Sequence, residues 1–235
     1  MSKSIIYYTD GNLSDPLYSF VQEQLLKTGL PIVSSSLNKP IDFGDNAVVK
    51  GKRSYPTMVK QIISCLERST ADYVFFSEHD VLYSPSHFNF VPPLDNIFYY
   101  NVNIWRWSLG SDIAIRHDRM IPLSSLCVNR EFALDHYKRR LELILERGLD
   151  SIKSPYPKWV RKMGFEPGTK TKKRGGFSDD EYDTWSSADP NIDIRHDKTF
   201  SPTKISKGQF THTPKWWKEI PVKDISNWDL KGIFK

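Results

Sequence analysis

The sequence predicts an α/β fold built on a mostly parallel central sheet flanked by helices. Three observations carry this. The chain opens with a strand-like run, a helical run and a second strand-like run, the pattern that builds parallel sheets. A later run, Tyr73-Val74-Phe75-Phe76, is aromatic and β-branched throughout, as a strand buried on both faces should be. The chain has 235 residues, enough for a sizeable core in one domain.

Taken in order, residues 4–9 form the first predicted strand, closed by the turn signal Asp10-Gly11-Asn12. Ser14 caps the next helix, Pro16 sits in its first turn, and Leu17, Phe20, Val21 and Leu25 recur at helical spacing up to Gly29. Residues 30–34 read as the second strand, and residues 38–53 as a turn-rich loop ending in the basic cluster Lys50, Lys52 and Arg53. Ser54 caps a helix to Leu66 whose buried stripe is Met58, Val59, Ile62, Ile63 and Leu66, with Lys60 and Gln61 off it. The run from Tyr73 follows. A turn leads from Ser84-Pro85 into a short helix that Pro92-Pro93 stops, and residues 97–105 read as one strand with which Ala114-Ile115-Arg116 can pair. Asn129 caps the longest helix, residues 130–147, on which Lys138, Arg139 and Arg140 read as a solvated face. Residues 150–190 are rich in proline, glycine and basic residues, with a short acidic helix expected at 179–185. A brief strand follows at 192–196, then a C-terminal tail.

Composition narrows the function. Hydrophobic content of 39% and charged content of 26% fit a globular chain, and no apolar run is long enough for a membrane span. The N-terminus carries no signal-peptide pattern, so a cytoplasmic location is expected. Cys65 and Cys127 are far apart and form no metal or redox motif. A net charge of +5 suits anionic ligands such as nucleotide diphosphates and permits nucleic acid.

The chemistry concentrates at Glu78-His79-Asp80. Read alone, it is either a polar turn after a strand or a pair of carboxylates set at a sheet rim. Open α/β sheets bind ligands at that rim, and carboxylate oxygens suit a hard divalent cation that bridges phosphates. The glycine-rich phosphate fingerprint of dinucleotide folds is absent, which leaves a metal to hold phosphate. Strand alternation would turn His79 away from Glu78 and Asp80.

Four segments together resemble a group of small bacterial and phage glycosyltransferases with the GT-A fold. They are Tyr7-Tyr8-Thr9-Asp10, the stretch from Phe76 to Tyr83, Met163-Gly164-Phe165-Glu166-Pro167-Gly168, and the stretch from Pro190 to Asp197. The resemblance implies a single GT-A-like (Rossmann-like) domain over 1–235, with a donor nucleotide-binding half at 1–105 and an acceptor-side half and tail at 106–235. It implies a nucleoside diphosphate sugar, such as a UDP-sugar, as donor, and Mn²⁺ or Mg²⁺ as cofactor. Asp80, Glu78 and His196 become the metal ligands. Thr9, Asp10, Lys60, Glu78 and Asp80 become the donor-binding set. One departure stands out: Lys170 occupies the place of a histidine expected after the Gly-Phe-Glu-Pro-Gly-Thr segment.

Other roles follow from the residues. Inverting transfer needs a base for the acceptor's proton. The acidic cluster supplies Asp183, preferred, and Glu181, with Asp179 and Asp180 read as helix-start residues. The run Lys170, Lys172, Lys173 and Arg174 is expected to bind an anionic acceptor, the alternative being a solvated loop. The acceptor classes are a glycan, a small molecule or nucleic acid, including modified bases of phage DNA. His87, His117 and His136 read as structural, with His136 partly exposed, and His212 is the reserve metal ligand. Two readings compete. A nucleotidyltransferase would want a glycine-rich basic loop after the first strand. A nucleic-acid-binding module could use the basic run with Trp159 and Phe177 but gives no reason for Glu78-His79-Asp80.

Overall fold

The structure is a computed structural model. It describes residues 1–13, 16–146, 165–170, 180–199, 204–212 and 214–230. Ser14, Trp159, Phe177, Asp179 and the basic residues Lys172, Lys173 and Arg174 therefore lie outside the described residues. The first half runs β1 (Lys3–Thr9), α1 (Leu17–Leu26), β2 (Ile32–Leu37), β3 (Asp45–Val49), α2 (Tyr55–Arg68), β4 (Tyr73–Glu78) and β5 (Val81–Leu82). Then come β6 (Ile97–Asn101), β7 (Ile104–Ser108), β8 (Ile113–Arg116), β9 (Leu126–Asn129) and α3 (Arg130–Glu146). The chain ends with β10 (Glu181–Trp185), β11 (Asn191–Arg195) and β12 (Lys218–Pro221).

Seven strands form one sheet in the order β10-β6-β9-β4-β1-β2-β3. Every pairing in it is parallel except the two made by β9. The α/β expectation with a mostly parallel sheet and flanking helices is thus met. A second sheet, β12-β8-β7-β11-β5, is mixed.

Alternation along β1 and β4 splits the core. Ile5, Tyr7 and Phe75 pack with α1 and with the second sheet through Leu82, Trp107, Ile192 and Ile194. Ile6, Tyr8, Val74 and Phe76 pack with α2 and α3 through Val59, Ile62, Ala133 and Tyr137. Covering both faces is what requires the unbroken apolar runs in the central strands. Two of the three expected caps form: Ser54 Oγ accepts from Thr57 N, and Asn129 Oδ1 accepts from Phe132 N at 3.1 Å, whereas α1 has Pro16 rather than Ser14 at its N-cap, with no side-chain cap bond. Both cysteines are free and buried. No helix among the described residues is long and apolar enough to cross a membrane.

Several expectations fail for tertiary reasons. The loop at 38–53 contains β3, which extends the sheet edge parallel to β2. Its approach turns at Gly44, with φ +64°, where a Cβ would stand 2.4 Å from the Ile32 carbonyl oxygen. The single strand expected at 97–105 is two strands in different sheets. Asn101 Oδ1 accepts from Asn103 N at 2.9 Å at the crossing, so the side chain takes over where the ladder breaks. The acidic helix expected at 179–185 is instead the strand β10, whose residues Tyr182, Thr184 and Trp185 favour a strand. Trp185 stacks on Phe90 with ring centroids 4.1 Å apart.

Arg140 does not belong to a solvated face. It is 1% exposed and donates to Tyr55 Oη at 2.6 Å and to His136 Nε2 at 3.1 Å. His136 is fully buried rather than partly exposed, with Nδ1 2.7 Å from Asp180 Oδ2. Burial pushes its pKa down to about 4, consistent with a neutral ring whose Nε2 accepts from Arg140. Lys138 and Arg139 do stand on the surface, paired with Glu67 and Asp135.

Candidate active site at the junction of the two sheets

The site forms where the chain leaves one sheet for the other. In the parallel register Tyr8 lies beside Glu78, so Thr9 and Asp10 emerge next to His79 and Asp80 at the carboxyl rim. Two residues later the chain enters β5, which pairs antiparallel with β11. Asp80 O accepts from Ile194 N at 2.9 Å, and this bond brings the end of β11, Arg195 and His196, against Asp80. Beneath, buried Gln61 donates to Thr9 O at 2.8 Å and Ser35 O at 3.1 Å. It ties the ends of β1 and β2 to α2, although its spacing put it off the helix stripe.

His79 faces the site. Strand alternation ends with β4 at Glu78, so it does not govern the turn that follows. Its Nδ1 lies 2.9 Å from Thr9 Oγ1, and its ring is 6.4 Å from that of His196. One donor atom from each of His79, Asp80 and His196 lies within 4.8 Å of the other two. Asp80 is 7% exposed, and His196 Nε2 stands 3.4 Å from Asp80 Oδ2. Burial raises the Asp80 pKa, but the imidazoles of His196 and His79 and the Arg195 guanidinium outweigh it and hold the carboxyl ionised.

These three residues can accept a divalent cation. His196 Nε2 is buried without a hydrogen-bond partner among the described residues. Thr9 Oγ1 already accepts from Gly11 N at 3.0 Å and has a second lone pair for a proton on His79 Nδ1, which frees His79 Nε2. A hydrogen bond at the far ring nitrogen orients a ligating histidine. His196 Nδ1 accepts from Lys198 N at 3.2 Å, so ligation through its Nε2 requires the proton to move to Nδ1 and that contact to open.

Glu78 stands outside this trio. Its Oε1 accepts from Tyr8 Oη at 2.6 Å. Burial, then the neighbouring Asp80 carboxylate, raises its pKa well above the ordinary carboxylate range.

Above the rim lies a cavity of about 220 Å³. Thr9, Asp10, Glu78, His79 and Asp80 line it, with apolar contributions from Leu37, Met58, Ile121 and Leu123. Arg53, Arg106, Arg119 and Arg195 also reach it. Arg53 pairs with Asp10 and donates to Lys198 O at 2.6 Å. Arg106 and Arg195 share the buried Asp193 carboxylate, at 2.9 and 2.7 Å. One carboxylate between two guanidiniums offsets only part of their charge, and in the same cavity the arginines stand with the carboxyl groups of Asp10, Glu78, Asp80 and Glu166.

Other predicted site residues lie elsewhere. Lys60 is on α2 but does not line the cavity. Glu181 and Asp183 are exposed on β10, and Asp183 Oδ1 accepts from Thr184 N at 2.7 Å. Lys170 is exposed. His212, the reserve ligand, is exposed; its carbonyl accepts from Arg119. Residues missed from the sequence are His79, the four arginines and Glu166. Arg53 sat in a basic cluster and Glu166 in one of the matched segments, but neither had a signal for its place.

No protein-family model matches the chain, and no curated protein does. Solved structures similar to it include the bifunctional IspDF from Campylobacter jejuni, at 13% identity and TM-score 0.41, covering 60% of this chain and 44% of that one. The glycosyltransferase GlyE of Streptococcus pneumoniae TIGR4 matches at 10% identity and TM-score 0.41, covering 79% and 46%. A glycosyltransferase involved in glycosylation of the major capsid of PBCV-1 matches at 14% identity and TM-score 0.46, covering 79% and 82%. The chain therefore spans less than half the length of the first two. Likeness at this level carries no activity over to this chain.

Proposed function

We propose that this protein is a metal-dependent, inverting glycosyltransferase that moves a sugar from a nucleoside diphosphate sugar, a UDP-sugar being the first donor to test, onto a hydroxyl acceptor. The observation that carries the reading is the convergence at one strand rim: Thr9, Asp10, His79 and Asp80 meet four arginines around one cavity, and His196 stands beside it against Asp80. That combination suits a diphosphate. The guanidiniums offer paired donors to phosphate oxygens. Asp10, fixed by Arg53 at the end of β1, would accept from a ribose hydroxyl in this reading. Leu37 and Met58 give an apolar surface for a base.

His79, Asp80 and His196 would hold the cation. Imidazole is a poor ligand for Mg²⁺, so this donor set favours Mn²⁺. When bound, a divalent cation neutralises charge building up on the leaving diphosphate. The basic run from Lys170 to Arg174 favours an anionic acceptor, nucleic acid or an acidic glycan. Neutralising it should flatten the salt dependence of acceptor binding.

The test is incubation with a panel of nucleoside diphosphate sugars, with and without Mn²⁺, measuring released nucleoside diphosphate. Metal-dependent release from one donor is expected. Calorimetry that finds UDP binding equally well in excess chelator removes the metal from the proposal, and absence of any nucleoside diphosphate binding in Mn²⁺ overturns the reading. One observation favours a second reading, a nucleotidyltransferase: Arg53 supplies at the end of β1 the cation that the turn Asp10-Gly11-Asn12 lacks. It predicts pyrophosphate release from a nucleoside triphosphate, which the same panel can include.

A further inference from the structure

Four carboxyl groups line the cavity: Asp10, Glu78, Asp80 and Glu166. Three are committed. Asp10 is paired with Arg53 and accepts from Asn12 N at 3.0 Å. Asp80 lies between two imidazoles, and Glu78 holds the Tyr8 hydroxyl. No side chain among the described residues donates to the Glu166 carboxylate.

Its backbone, by contrast, is firmly held. Thr169 N and Oγ1 both donate to Glu166 O, at 3.3 and 2.7 Å. Buried Tyr100 donates to Pro167 O at 2.7 Å, and buried Arg140 to Phe165 O at 3.4 Å. The Phe165 ring packs on Tyr55 with centroids 5.4 Å apart. Gly168, at φ +76°, lets the turn pass so close to β10 that a Cβ would meet the Glu181 carbonyl at 2.8 Å. The sequence thus fixes a short turn on the sheet's core and leaves at the cavity one carboxylate that no side chain among the described residues holds. Burial raises its pKa, against the hydrogen bond from its own backbone N–H and the pull of Arg140, Arg106 and Lys170, in the direction that suits a carboxylate working as a base.

We propose that Glu166 is the catalytic base of the transfer, the group that takes the acceptor hydroxyl's proton. This rests on the glycosyltransferase reading. In the step, a lone pair of the acceptor oxygen forms the new bond to the anomeric carbon. The bond from that carbon to the diphosphate oxygen breaks, and its electron pair leaves with the nucleoside diphosphate. The hydroxyl proton passes to a Glu166 carboxylate oxygen, which later releases it to solvent.

The test uses the full chain with Mn²⁺ and UDP-glucose, water serving as acceptor, alongside calorimetry with UDP. In the wild type, kcat should rise with pH as Glu166 loses its proton, then level off. Glu166→Gln should lower kcat on the order of 10²–10⁴-fold and abolish that rise. UDP affinity should stay within about twofold, as expected for a change that removes no donor contact. Glu166→Asp should keep the pH dependence with a reduced rate. If Glu166→Gln keeps the wild-type rate or the pH-dependent rise, the assignment is wrong. A loss of UDP affinity that matches the loss in kcat would also overturn it, making the residue structural. If wild-type protein with Mn²⁺ binds no UDP and hydrolyses no UDP-glucose, the glycosyltransferase reading falls first.

Discussion

The chain carries the same spacing twice, Glu78-His79-Asp80 and Glu181-Tyr182-Asp183, and the two stretches end in opposite surroundings. The first closes β4, a central strand between β1 and β9. Its side chains meet a second sheet, two imidazoles and a cluster of arginines. The second lies on β10, an edge strand paired only with β6, and its carboxylates face solvent. A Glu-x-Asp spacing is therefore no site by itself. What makes one is the strand's rank in the sheet and what the chain does next. After Glu78 it crosses into β5 and so draws in β11; after Asp183 the strand simply continues to Trp185.

The sharpest way to break this contrast is Asp80→Asn. The change keeps the shape and removes the charge that His79, His196 and Arg195 share. Sugar release from the donor should fall by about 10²–10³-fold, the scale for loss of one preorganised electrostatic group. Wild-type turnover with unchanged thermal unfolding would place the chemistry elsewhere. His196→Ala should act next. Losing one of three donors should raise the Mn²⁺ needed for half-maximal activity on the order of 10–100-fold, a scale seen even for partners of metal ligands. An unaltered metal requirement would leave His79 and Asp80 without their third member.

Tyr8→Phe probes the first stretch more gently. The Tyr8 hydroxyl is buried and donates to Glu78 at 2.6 Å, a bond with no counterpart at the exposed Glu181. Its removal should destabilise the fold by about 1–2 kcal/mol, read from urea unfolding at neutral pH. An unchanged midpoint would mean that Glu78 finds water or another donor at no net loss.

Much of the scaffold was legible because it is periodic and locally punctuated. Leu17, Val21 and Leu25 mark α1; Ser54 and Asn129 cap α2 and α3; the aromatic run marks β4. What escaped depends on partners distant in sequence. Arg140 sits in a basic triplet, and only Tyr55 and His136 explain its burial. Gln61 reads as a surface residue until the ends of β1 and β2 are brought over it. His79 obeys alternation only if the strand continues, and whether it continues is decided by β11, about a hundred residues later. The acidic stretch at 181–185 carries charges suited to a helix start and side chains suited to a strand. The free edge of β6 settles the matter. The candidate site was legible in its centre, Asp80 and His196, while Arg53, Arg119 and Glu166 come from loops with no local pattern, and Arg106 and Arg195 reach the cavity only through the pairing of β7 with β11.

The smallest expected effect tests the other side of the comparison. The double variant Glu181→Gln, Asp183→Asn removes both carboxylates of the second stretch. Both side chains are exposed, and the one hydrogen bond they make among the described residues, from Thr184 N to Asp183 Oδ1, can be kept by the asparagine oxygen. Strand pairing with β6 runs through the backbone and is untouched. Loss of two negative charges on an edge removes little beyond solvation, so stability should change by no more than about 0.5 kcal/mol and turnover by no more than about twofold. Edge charges also discourage strand-to-strand association, so self-association at high concentration, followed by light scattering, is the property most exposed to change. A large loss of turnover with an unchanged fold and an unchanged state of association would mean that β10 reaches the reacting groups after all. It would return the base to Asp183 or Glu181 and leave Glu166 as a wall of the cavity. Because Gly168 packs against the Glu181 backbone rather than its side chain, the turn that carries Glu166 should stay in place in this variant. The two assignments can therefore be separated in one protein.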